Sequence, residues 1–164
     1  MTTLNGGSGL NGSKYNTTYT DDITITGDID GSSRVSLVST TGTIVVEGKI
    51  DGSSMVTLVS NMGSVLLFDK IDGSSDVTLI AENGKVAIGP EITFGGHNDD
   101  IGKIDGSSQV YVRATEYIFT NGRIDGSSNV IFKGGEVSIL EAGLMVEQLL
   151  DYKQILASFT FTIK

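Results

Sequence analysis

Apolar and polar residues alternate in short bursts along this chain, and the bursts return at a fixed interval. Three stretches align without a gap: "IDGSSRVSLVSTTGTIVVEGK" at 29–49, "IDGSSMVTLVSNMGSVLLFDK" at 50–70 and "IDGSSDVTLIAENGKVAIG" at 71–89. Apolar residues fall in five columns: Ile29/Ile50/Ile71, Val35/Val56/Val77, Leu37/Leu58/Leu79, Ile44/Val65/Val86 and Val46/Leu67/Ile88. Within each burst the column members are two apart, the pleat period, so they share one face of a strand. Each copy therefore predicts a "V-x-L" strand and a shorter "I/V-x-V/L/I" strand, both facing inward. Gly42, Gly63 and Gly84 precede the second strand, where a turn with positive φ is expected.

The leading isoleucines, Ile29, Ile50, Ile71, Ile104 and Ile124, are separated by 21, 21, 33 and 20 residues. A period near twenty marks stacked repeats, and three short sides joined by tight turns describe one rung of a parallel β-helix. A propeller blade needs about 40 residues, and the twofold alternation excludes a helical solenoid. The pattern continues through Val110, Val112 and Ile118, then Val130, Phe132, Val137 and Ile139. Upstream, "LNGS" at 10–13 and "ITIT" at 23–26 read as a degenerate first rung. Six rungs at ~4.8 Å make a rod roughly 25–30 Å tall. The expected fold is all-β, a single-stranded parallel β-helix spanning 17–143, after an N-terminal lead or half-rung over 1–16.

Each leading isoleucine opens the motif "IDGSS", in which carboxylate, glycine and serines supply turn chemistry. Stacking lines up Asp30, Asp51, Asp72, Asp105 and Asp125 in a structural turn ladder. Neighbouring carboxylates at that spacing repel by about 1 kcal/mol in water. Lys49, Lys70, Lys103 and Arg123 stand two residues earlier and form a parallel cationic column. The rival reading, a calcium or saccharide site, asks one diverging column to supply converging oxygens. Taken together, the repeat resembles the right-handed parallel β-helix proteins, a superfamily that includes pectate lyases, tailspikes, adhesin passenger domains and bactofilins. The resemblance covers about residues 10–143. It implies the architecture and its handedness and carries over no catalytic residue.

Composition narrows the partners. Twenty acidic against eleven basic residues, a formal charge of -9, disfavour nucleic acid and anionic membrane surfaces. The absence of cysteine removes disulfides and thiolate metal sites. No stretch has the length or flanks of a signal peptide or membrane span, which makes the cytoplasm the default compartment. No cofactor is expected.

Two segments break the period. "PEITFGGHNDDIG" at 90–102 holds the only proline and the only histidine, and His97, Asp99 and Asp100 are its candidate metal ligands, weighed against a solvated insertion. At 144–164, Met145, Leu149, Tyr152, Leu156 and Phe159 follow helical spacing and "FTFTI" alternates like a strand, which together read as a C-terminal cap. Between the inward residues of the second strand, Val45, Leu66, Ala87 and, after one deletion, Phe119 form an outward apolar column, with Phe68 beside it. Outward positions of a solvated strand should be polar, so this column is the expected interface of a homo-oligomer. The function expected is a noncatalytic structural or interaction rod. A carbohydrate-binding or carbohydrate-active β-helix using the 90–102 loop and the acidic face is the alternative.

Overall fold

The computed structural model describes residues 1–6, 10, 12, 14–90, 101–139 and 159–163. They form a parallel β-solenoid of about six turns with ~21-residue rungs. One sheet winds through it. The long face stacks β2 (Lys14–Tyr19), β4 (Arg34–Ser39), β6 (Met55–Ser60), β8 (Asp76–Ala81), the first half of β10 (Gln109–Thr120) and the first half of β11 (Asn129–Ile139). The short face stacks β1 (Thr2–Asn5), β3 (Ile23–Thr26), β5 (Ile44–Val46), β7 (Val65–Leu67), β9 (Val86–Ile88) and the second halves of β10 and β11. On the third side the contact shrinks to single parallel bridges, Ile29 to Ile50 to Ile71 to Ile104 to Ile124.

The register follows the sequence columns. Val35 pairs with Val56 and Val56 with Val77; Leu37, Leu58 and Leu79 follow two residues on. Every member of the five columns is at most 2% exposed. Branched side chains stacked on like neighbours fill a narrow core, and the pleat makes a one-residue slip costly because it would turn every column outward. Val110, Val112, Ile118, Val130 and Phe132 continue the core in the last two rungs. The degenerate first rung is also present: Leu10 is 1% exposed, and β2 pairs with β4 from Lys14↔Arg34 to Tyr19↔Ser39.

The turn glycines differ from expectation. Positive φ belongs to the glycine of each "IDGSS", as at Gly52 and Gly73, both at 74°, whereas Gly42, Gly63 and Gly84 are not among the positive-φ glycines. What those three require is room. A Cβ on Gly42 would lie 2.2 Å from Asp22 N, and one on Gly84 2.4 Å from Gly63 O. At Gly52 both demands coincide, since its Cβ would sit 2.5 Å from Gly31 O.

In the fourth and fifth rungs the corner changes character. β10 and β11 run through it as continuous strands; Ala114 pairs with Ala81 and Ile118 with Val86, which is the one-residue deletion seen in the sequence, and a second register shift separates β11 from β10 between Ala114 and Tyr117. Phe119 consequently pairs with Ala87 as expected. At the C-terminal end, β12 (Phe159–Ile163) lies antiparallel on β11, from Val130↔Ile163 to Gly134↔Phe159. The "FTFTI" strand is therefore present, and Phe159, expected at the end of a helix, begins it. The rest of the expected helical cap falls in 140–158, outside the described residues, as do His97, Asp99 and Asp100.

Candidate functional site

Two surfaces carry the side chains singled out by the sequence. The first is the corner built by "IDGSS". Each aspartate accepts a bond from the following glycine N–H, at 2.5 Å for Asp51, 2.6 Å for Asp72 and Asp105 and 2.7 Å for Asp125; Asp30 and Gly31 make the same pair. Its second oxygen meets the cation two residues earlier: Lys49–Asp51 at 2.6 Å, Lys70–Asp72 at 3.1 Å, Lys103–Asp105 at 2.6 Å and Arg123–Asp125 at 4.0 Å. The two expected columns thus interlock as ion pairs. In the rung of Asp30 the cation's position holds Asp28, whose Oδ1 accepts the Lys49 N–H of the next rung at 3.1 Å.

These contacts set the charge states. The Lys49 ammonium, and then the Gly52 N–H, hold the Asp51 carboxyl below the usual carboxylate range; Lys103 and Gly106 do the same to Asp105. Reciprocally, Asp51 raises the Lys49 ammonium. One carboxylate oxygen thus holds a backbone donor and the other a cation, contacts that close the turn at each copy of the motif. No group of three or more metal-ligating side chains converges among the described residues.

Behind each aspartate the second serine turns inward. Ser54, Ser75 and Ser108 are at most 1% exposed and donate to the carbonyls of Asp51, Asp72 and Asp105 at 2.7–2.8 Å. A second serine stitch was not singled out from sequence. Ser39 and Ser60, fully buried, accept from Gly42 N and Gly63 N at 2.9 Å and donate at 2.7 Å to Asp21 O and Gly42 O of the preceding rung. Their spacing, two beyond the inward leucine, was the available signal; hydroxyls at inward positions must find such partners.

The second surface is the outward column of the short face. The ladder runs Thr24, Val45, Leu66, Ala87 and Phe119, in the order expected. Its exposure is uneven. Val45 and Leu66 are half-buried and Phe68 is 46% exposed, whereas Ala87 and Phe119 are only 3% and 7% exposed. The expectation of one continuous open stripe is therefore corrected: its open part is Val45, Leu66 and Phe68.

Comparison with protein-family models, curated proteins and solved structures finds no match. The class of the protein is defined by architecture alone, as a parallel β-solenoid.

Proposed function

We propose that this chain is a noncatalytic structural rod that associates with copies of itself through the short face. The observation that carries the reading is the apolar column at outward positions, where Val45 and Leu66 flank an exposed Phe68 on a face whose register is fixed by rung stacking. A rigid ladder presents such side chains at constant spacing with little ordering entropy left to lose, which favours association. Pairing two short faces about a twofold axis is the simplest closed assembly. The engagement of the acidic column by lysines supports a structural role for the corner over a saccharide or cation site.

Sedimentation velocity tests this with the double variant Leu66→Lys/Phe68→Glu. Both positions point out of the core, so the variant should fold with an unchanged melting temperature and associate less than the wild type. An unchanged sedimentation coefficient removes the short face as an interface. Glycan-array binding by a monomeric wild type would favour the carbohydrate reading instead.

A further inference from the structure

The two ends of the rod are finished differently. At the C-terminal end β12 lays an antiparallel strand on the long face, and the residues beneath it, Val130 and Phe132, are fully buried. At the N-terminal end the corresponding strand is β2, and among the described residues it pairs only with β4. Its inward positions Tyr15, Thr17 and Tyr19 are half-buried, while their rung neighbours Val35, Leu37 and Ser39 are at most 2% exposed. Among the described residues the core is thus incomplete at this end by one strand.

The backbone of β2 is arranged to receive that strand. Thr40 N–H donates to Tyr19 O at 2.9 Å, which places the N–H and C=O groups of Tyr15, Thr17 and Tyr19 toward β4. By alternation those of Lys14, Asn16 and Thr18 point to the open edge. The stretch also carries opposite charges at its two ends, Lys14 at the start and exposed Asp21 and Asp22 just past the finish, although Asp21 is met by the terminal ammonium at 3.1 Å.

The geometry points to the β2 edge as a head-to-head docking surface for a second copy of this chain, paired antiparallel about a twofold axis through Thr17. In that register Asn16 faces the partner's Thr18 and exchanges both backbone bonds. Tyr15 faces the partner's Tyr19, so inward side chains meet inward side chains and the two cores merge. Lys14 meets the partner's acidic end, twice by symmetry. A parallel arrangement would stack Lys14 on Lys14 and is disfavoured. Pairing about a twofold axis uses the β2 edge of both copies. The assembly therefore closes at two through this edge. It rests on different residues from the short-face column, and the two surfaces can be broken separately.

Sedimentation velocity of the full chain, compared with Thr18→Pro and with Leu66→Lys/Phe68→Glu, tests the inference. Proline at 18 removes an N–H that points to the open edge and leaves the bonds to β4 in place. Thr18→Pro is expected to halve the mass that Leu66→Lys/Phe68→Glu retains. A second variant guards against misfolding. Opposed residues of a non-hydrogen-bonded antiparallel pair have Cα atoms roughly 4.5 Å apart, within disulfide range. Thr17→Cys, in a chain without native cysteine, should therefore oxidise to a covalent dimer. A wild type that is monomeric at high concentration overturns the inference. So does a Thr18→Pro protein that keeps the wild-type mass while Thr17→Cys stays uncrosslinked. Dissociation by Leu66→Lys/Phe68→Glu alone would leave the short-face reading standing and remove this one.

Discussion

Asp51 shows how one residue serves two rungs, its side chain in one and its backbone in the other. Its carboxylate closes its own turn on Gly52 N–H and holds Lys49, while its backbone N–H donates to Ile29 O of the rung before at 2.9 Å. Asp51→Ala should cost about 0.5–2 kcal/mol, the range for losing a capping side chain, measured by chemical denaturation. The pH dependence follows from the shifted groups. Folding lowers the Asp51 and Asp105 carboxyls, so their contribution is present above the ordinary carboxylate pKa near 4 and fades as pH falls through the lower folded value. Lys49 is raised, so its contribution is full below its ordinary pKa and fades as pH rises through the higher folded one. Asp51→Ala should weaken both dependences, and the wild type should not respond to EDTA or calcium; a wild-type melting temperature that EDTA lowers and calcium restores would favour a metal-binding ladder instead. At this scale the sequence was legible in its charges, since cation and aspartate two residues apart share a face. It was not legible in Gly42, Gly63 and Gly84, because a glycine required by a close approach and one required by positive φ are spelled alike.

At the level of elements, the strands were legible because their inward residues repeat at intervals of 2 and 21. The outward column was legible in order and not in exposure: whether Ala87 or Phe119 is covered depends on what packs over the face, which periodicity does not encode. The 90–102 insertion begins and ends at neighbouring points of one rung. A Cβ on Gly89 would lie 2.9 Å from the Gly102 Cα, and one on Gly102 3.0 Å from the Gly89 Cα. The chain thus leaves and rejoins the rung at points near the ~3.8 Å spacing of consecutive residues. Replacing residues 92–101 with a short turn should leave the circular dichroism unchanged and raise stability by up to about 1 kcal/mol through a smaller loop-closure cost. A variant that fails to fold would show that these residues are part of the core.

For the whole molecule, stability is shared between neighbouring rungs, as in other stacked repeats. Leu58 lies fully buried in a middle rung, with Leu37 on one side and Leu79 on the other. Leu58→Asp places a carboxylate among stacked apolar side chains and should cost at least 3–5 kcal/mol, roughly the penalty of an uncompensated buried charge. Loss of the folded signal at 25 °C is the expected result. A soluble variant with the wild-type melting temperature would contradict the register.

The gap-free stacking of 29–49 on 50–70 on 71–89 has a further consequence. Each boundary between rungs makes the same bonds, Ile29 N to Lys49 O and Ile50 N to Lys70 O at 2.9 and 3.0 Å, so a boundary carries no record of its position along the rod. Copying 21 codons in frame would therefore add one rung, lengthen the molecule by ~4.8 Å and leave both ends chemically as they were. The protein behaves as a ruler with a fixed graduation, and its span can evolve by whole steps without redesign of either terminus.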